Sequence, residues 1–281
     1  METAQTEVVP SRTLGAASLG MYDFAPLTAA NDALWAALRP LLAETGLTWI
    51  PAGLDRAREL HDIWRDPRLL LAQTCGFPLM TSLAGRPSLV ATPCYDLPGC
   101  DGPLHRSFVV VRASDPAGDL ESTRGRTVAI NAPDSNSGMN LLRAMVAPLA
   151  RSGRFFDAVR FTGGHLASIA AVRTGATDVA AIDCVTHGLL ARHDPAQLQG
   201  TRIIAETPPV PGLPLISRPD APPAMLGSLR DALAAVATSP AGAAACGTLA
   251  LAGFAVLPLS AYRLVIDLAK KAAAFGYDVI A

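Results

Sequence analysis

Short, uninterrupted apolar runs alternate along this chain with longer segments whose apolar positions recur every three or four residues. Residues 13–21 are small and apolar and predict a buried strand. Residues 28–44 follow with helical spacing through Leu34, Trp35, Leu38, Leu41 and Leu42. Residues 47–52 predict another short strand, 54–64 an amphipathic helix that turns Arg56, Arg58, Glu59 and Asp62 outward, and 69–73 (LLLAQ) a further strand. A strand over 88–92 leads into the turn-rich TPCYDLPGCDGP and then the β-rich run SFVVVR at 107–112, after which polar ASDPAGDLESTRGR reads as a boundary. The alternation then restarts, with strands at 127–131, 158–162 and 178–182 and helices over about 138–150 and 166–173. The turn-rich ETPPVPGLPLISRPDAPP reads as a second passage, and Ala-rich and Leu-rich helices close the chain. Apolar strands separated by helical crossovers imply an α/β fold built on mostly parallel sheets covered on both faces.

At 281 residues the chain suits two lobes better than one core. A lobe formed by 1–110 and 208–281, with a second lobe of 111–207 inserted, would make the chain cross twice, near 107–126 and 201–219, and a pair of crossings forms a hinge. The carboxyl ends of the strands would then face one crevice, where open α/β sheets hold ligands.

Half the residues are hydrophobic and 17% are charged, which is a composition that buries a core. Lys and Arg number 23 against 24 Asp and Glu, net charge −1, with no basic run, so nucleic acid is excluded as a partner. The longest uncharged stretch, 232–262, is broken by Pro240 and Pro258 and predicts helices, not a membrane span. The amino terminus, METAQTEVVPSRT, shows no basic region followed by an apolar one, so either a leader has been removed or the chain is cytoplasmic. The five cysteines lack paired C-x-x-C spacing and His187 and His193 are six apart, so neither set suggests a metal, and no cofactor motif is present. Cys94 and Cys100 bracket YDLPG and are either a small disulfide or two free thiols.

The most informative segment is VAINAPDSNSGMNLLRAMV, a buried strand followed by Ser135, Asn136, Ser137 and Gly138 directly before a periodic helix. Unpaired backbone N–H groups and the positive end of the helix dipole favour an anion there, and hydroxyls add donors without adding charge. A serine in this place also simply caps a helix. His165 enters the next helix after a Gly-Gly turn and can donate to an oxyanion or pack as an ordinary surface histidine. Asp183 follows the strand DVAAI and can accept from a ligand or from nearby backbone N–H groups.

The runs AINAPDSNSGMN, GGH followed by A-x-x-A-V-R-x-G-x-x-D-V-A-A-I-D, and TPPVPGLP resemble the phosphate/phosphite/phosphonate substrate-binding proteins of ABC transporters. The resemblance extends to ASLGMYDF, LAQTCGFPL, PCYDLPGCDGP and LAGFAVLPLSAY, nearly the whole chain. It implies a two-lobed periplasmic-binding-protein fold of the second type that closes on a small phosphorus oxyanion. By the same resemblance, Ser135, Asn136 and Ser137 match the Ser/Thr cluster that grips the phosphonyl oxygens, and His165 matches the histidine beside them. Tyr22 and the loop Thr74, Cys75, Gly76, Phe77 would supply the opposing wall. Phe77 stands where relatives often carry Tyr, and Leu213 where longer relatives carry an acid, so an ammonium-bearing ligand would need Asp183 as its partner.

The expectation is therefore a non-catalytic receptor, monomeric, taking a small anionic ligand to an ABC permease and working in the periplasm. Two other readings use the same fold. One is a cytosolic enzyme of the menaquinone or thiamine-precursor type, with His165 or Asp183 as base and Cys75 or Cys184 as nucleophile; the other is a ligand-sensing domain.

Overall fold

The computed structural model describes residues 15–281. The amino-terminal segment inspected for a leader, and the first two positions of the strand expected over 13–21, lie outside the described residues. The chain runs β1 (Ala16–Ser18), α1 (Thr28–Glu44), α2 (Leu60–Trp64), β2 (Leu69–Gln73), α3 (Gly76–Met80), β3 (Pro87–Tyr95), β4 (Leu104–His105) and β5 (Ser107–Arg112). It continues through β6 (Thr127–Ile130), α4 (Leu141–Val146), β7 (Ala158–Phe161), α5 (His165–Thr174), β8 (Val179–Asp183), α6 (Cys184–His193) and β9 (Thr201–Glu206). It closes with β10 (Val210–Pro211), β11 (Leu215–Pro219), α7 (Pro223–Thr238), α8 (Pro240–Thr248), β12 (Leu251–Ala255) and α9 (Arg263–Ala274).

Two five-stranded sheets result, in the orders β1-β2-β11-β3-β12 and β7-β6-β8-β5-β9, and β4 pairs with β10 apart from both. The runs that looked continuous in sequence are strands buried on both faces. In β5 and β8, Val109, Val111, Val179 and Ala181 enter one apolar cluster, while Phe108, Val110, Ala180 and Ile182 enter another. That second cluster is continuous with the core of the first sheet, through Leu34, Leu71, Val90 and Leu233.

The expectation of mostly parallel sheets needs correction. β1 and β2 pair parallel, as do β6 with β7 and with β8, but β11 runs antiparallel to β2 and β3, β12 to β3, and β5 to β8 and β9. Strands β5 and β11 are reached from the other lobe and not through a helical crossover, so nothing forces them to run with their neighbours. SFVVVR belongs wholly to the second sheet, so the first passage is 96–106, ahead of the expected position, and the return is 207–214. A third passage, 256–262, carries the chain to α9, which packs on α3 of the first lobe and α4 of the second.

Other local expectations also shift. Residues 47–52 form no strand; Trp49 O merely accepts from Gly15 N at 2.8 Å, and Leu47, Trp49 and Ile50 pack on the core. The helix expected over 54–64 is confined to its last turn, α2; ahead of it the Asp55 carboxylate accepts from the amides of Ala57 and Arg58 in a turn that no helix continues. The turn-rich passage near 206–223 contains β11, a central strand whose own buried run, Leu215, Ile216 and Ser217, is short and flanked by prolines and so does not stand out in the sequence. β12 was concealed within an Ala-rich and Leu-rich region, where a short apolar run does not distinguish strand from helix.

Candidate functional site

Three helices of the second lobe begin around one cavity of about 470 Å³ between the sheets. Beyond β6, Ser135 takes extended geometry and its Oγ accepts from Gly138 N at 3.0 Å, a side-chain cap on the turn that follows. That turn, Asn136–Asn140, is a single wide turn of π type closed by Asn140 N donating to Ser135 O at 3.0 Å, and it runs directly into α4. Its shape is held from within the fold. Asn140 Nδ2 donates to Asn136 Oδ1 (3.0 Å) and to Val265 O (2.9 Å), and the buried Ser107 hydroxyl donates to Ser137 O (2.9 Å).

The second helix start is α5. Its N-cap is Gly164, which offers no side-chain acceptor, and Gly163, Gly164 and His165 all line the cavity. His165 Nε2 lies 3.0 Å from Ser137 Oγ and 3.4 Å from Asn131 Nδ2, while its Nδ1 is buried without a partner. Burial depresses the basicity of this imidazole below its ordinary value, although Asp183 works in the opposite sense. A neutral ring and a hydroxyl at this distance form one unit in which Ser137 can accept from the ring or donate to it.

The third start, α6, is already capped. Asp183 Oδ1 accepts from the amides of Val185 (2.9 Å) and Thr186 (3.0 Å) and from the Tyr22 phenol (3.0 Å), which reaches across from the first lobe. Its Oδ2 lies 3.0 Å from His105 Nδ1 as an ionic contact without an aligned N–H. Asp183 is 1% exposed. Burial acts to raise its pKa, but His105 and the amide donors outweigh that and hold the carboxyl below the usual range; His105 is raised against its own burial by the same carboxylate. Tyr22 is raised well above its ordinary value by burial and by Asp183. The anion position at this helix is thus filled by the protein itself, whereas α5 leaves its first turn without a side-chain cap.

Among the residues expected from sequence, Ser135, Ser137, His165, Asp183, Tyr22 and Cys75 line the cavity. Asn136 is buried behind it, its amide donating to Cys75 Sγ at 3.3 Å across the two lobes, and its side chain is engaged by Asn140. Gly138 sits against Asn131 and His165. Thr74 is fully buried at the end of β2 with its hydroxyl unpartnered, and Phe77 packs on the second lobe's core, so neither is a lining residue. Leu213 does line the cavity.

Asn131, His105 and the pair His61–Asp134, whose side chains meet at 2.9 Å, were not singled out in the sequence; Asn131 and the pair line the cavity. Asn131 ends a buried strand beside the polar cluster, which was a usable signal. His105 gave none, because its role depends on the register that sets Ser107 opposite Asp183.

The nucleophile reading fails on the thiols. Burial pushes Cys75 up to about 11, and the hydrogen bond that the Cys184 thiol donates to Cys100, with burial added, raises Cys184 still further, so neither supplies thiolate at neutral pH. The five cysteines are free, and Cys100 Sγ lies 3.6 Å from Cys184 Sγ, not beside Cys94. Among the described residues no group of three His, Cys, Asp or Glu side chains could hold a metal ion, and no helix is long and apolar enough to cross a membrane.

The same architecture occurs in solved structures. PhnD1 of Prochlorococcus marinus, in complex with methylphosphonate, superposes with a TM-score of 0.76 at 12% identity, over 92% of this chain and 98% of that one. A binding-protein component of an ABC phosphonate transporter from Pseudomonas aeruginosa gives 0.72 at 16% identity, over 94% and 87%. XAC2383 of Xanthomonas citri, bound to ATP, gives 0.70 at 20% identity, over 96% and 100%. These likenesses establish the two-lobed fold. No curated protein sequence matches the chain. The model of the ABC-transporter phosphonate periplasmic substrate-binding proteins matches residues 91–262, more than half of the chain and all three helix starts. That family binds substrate for a permease and does not transform it, which removes the enzyme reading. The chain belongs to the periplasmic substrate-binding proteins of phosphonate ABC transporters.

Proposed function

We propose that this protein captures a small phosphorus oxyanion, of the phosphate, phosphite or phosphonate class, in the cavity between its lobes and presents it to an ABC permease in the periplasm. One observation carries the reading. The Ser135–Ser137 turn, His165 at the uncapped start of α5, and Tyr22 from the opposite lobe converge on a single cavity, with Ser137 and His165 already 3.0 Å apart. The closure belongs to the same proposal, with the sheet β1-β2-β11-β3-β12 and its helices closing on the sheet β7-β6-β8-β5-β9 about the passages 96–106, 207–214 and 256–262.

Among the described residues no Lys or Arg lines the cavity, so the anion would be held by hydroxyls, amide N–H groups and one imidazole. Such donors, fixed in place and shielded from water, bind an anion without a compensating full charge. PhnD1, on the same fold, holds methylphosphonate. Calorimetry with phosphate, phosphite and methylphosphonate tests the reading. At least one should bind, and Ser137→Ala and His165→Ala should each weaken it roughly tenfold or more, the loss of about 1.5 kcal/mol expected for a hydrogen bond to a charged group. Absence of heat from every oxyanion would overturn it.

A further inference from the structure

The cavity is much larger than the head group assigned to it. A tetrahedral ion of five heavy atoms fills roughly the space of three waters, about 90 Å³ at 30 Å³ each, whereas the cavity holds about 470 Å³. The remainder is walled mainly by apolar side chains. Met21, Phe24, Leu60, Trp64 and Leu213 come from the first lobe and Leu166 from the second.

The carboxylates around this space already have partners or face solvent. Asp23 is paired with Arg56 at 2.5 Å, Asp134 with His61 at 2.9 Å, and Asp183 with His105 at 3.0 Å; Glu59 is exposed. An ammonium on the ligand would therefore lose its hydration without gaining a free buried carboxylate. A hydrocarbon there would displace water from apolar surface.

We propose that the ligand carries, on its tetrahedral phosphorus head, an uncharged apolar substituent of several carbons, an alkyl or aryl group attached as phosphonate or as phosphate monoester. The inference rests on the oxyanion reading above and adds the tail. Met21, Phe24 and Leu60 would form the wall on one side and Leu166 on the other, so lobe closure would enclose the substituent as well as the head.

The test is calorimetry of the full chain with methylphosphonate, n-butylphosphonate, n-butyl phosphate and 3-aminopropylphosphonate. Each methylene buried in an apolar wall tightens binding roughly fourfold, so n-butylphosphonate is expected to bind at least tenfold more tightly than methylphosphonate. It should also exceed its amine isostere 3-aminopropylphosphonate by tenfold or more. Comparison of the butyl phosphonate with the butyl phosphate tells which attachment the head accepts. In Leu166→Ser, at a site already 37% exposed, the butyl-to-methyl ratio should fall severalfold, and in Leu213→Asp the amine should gain on the butyl compound. Equal affinities for methyl and butyl, or an amine that binds as tightly as butyl, overturn this inference while leaving the oxyanion reading in place. No binding by any of the four overturns this inference, and no binding by phosphate and phosphite as well overturns both.

Discussion

Asp183 shows how one carboxylate holds several parts of the site in position at once. It caps α6, receives the Tyr22 phenol from the other lobe and faces His105, and it is 1% exposed. Removing one member of a buried pair leaves the other uncompensated, at a cost of about 3–5 kcal/mol. Asp183→Asn keeps an acceptor for the amides but removes that compensation. The pH dependence follows from the directions of the shifts. His105 is raised in the folded protein, so its contribution is fully present below its ordinary 6.5 and is lost as pH rises through the higher folded value; Asp183 is lowered, so its contribution is present above 3.8 and is lost only in stronger acid. In Asp183→Asn, the carboxylate's support is gone and burial, the largest influence on His105, disfavours its charged form. The melting temperatures of the natural protein and the variant should therefore lie furthest apart near pH 6 and approach each other towards about pH 9. A gap that stays constant over that range would show that His105 is not charged against Asp183. Ser135, Ser137, His165 and Asp183 were legible in the sequence because each stands where an apolar run ends and a helix begins. His105 ends the two-residue β4, two positions ahead of β5, and only the pairing of Ser107 with Asp183 gives it meaning.

At the scale of elements, the polar turn before α4 joins the cap of one helix to the side chains of the next. The sequence predicts one helix over about 138–150, whereas the chain makes a π turn, the short α4 and a final 3₁₀ turn over Ala147–Leu149. The difference arises from tertiary contacts invisible in a local window. Asn140 is drawn to Val265 O of α9 and Ser137 O to the Ser107 hydroxyl, and the wide turn satisfies both. Gly138 lies at the tightest point of this turn. A Cβ there would fall 2.0 Å from Asn131 Oδ1 and 3.1 Å from His165 Cε1. The first atom ends a side chain that can rotate away, so Gly138→Ala should cost only about 1 kcal/mol of stability, offset in part by the helix preference of alanine. The displaced Asn131 would abandon its 3.4 Å contact with His165 and intrude on the cavity. Methylphosphonate affinity measured on Gly138→Ala should thus fall tenfold or more while the melting temperature moves by a few degrees. Unchanged affinity would separate this turn from the binding site.

At the scale of the molecule, the α/β class and the two lobes were legible from the repeated strand and helix alternation, but the chain's third passage was not. A helix that follows an Ala-rich and Leu-rich region reads as part of whatever precedes it, and amphipathic spacing does not say which lobe its apolar face will meet. Here α9 crosses to the second lobe, and the residues after it complete that lobe's core. Tyr277 is fully buried and Ile280 nearly so, in the cluster that holds Phe155, Phe156 and Val146. The backbone closes the same seam, with Phe155 N and Phe156 N donating to Ala281 O at 2.7 and 2.9 Å and Arg143 donating to Asp278 O. Deleting residues 277–281 would uncover both phenylalanines and orphan two buried amides. Loss of a buried aromatic costs about 3–5 kcal/mol, and each unsatisfied amide about 1–3 kcal/mol, a large share of the 5–15 kcal/mol that stabilises an ordinary domain. The truncated chain should therefore melt far below the full chain or fail to remain soluble. Tyr277→Phe keeps the ring and removes only the hydroxyl that bonds to Ala281, so it should lose about 1 kcal/mol. Because the turn of residues 135–140 rests on Val265 of the same helix, truncation should also weaken oxyanion binding in whatever fraction stays folded. Equal melting temperatures for the full and truncated chains, measured by calorimetry, would show that the second lobe is stable without this strap.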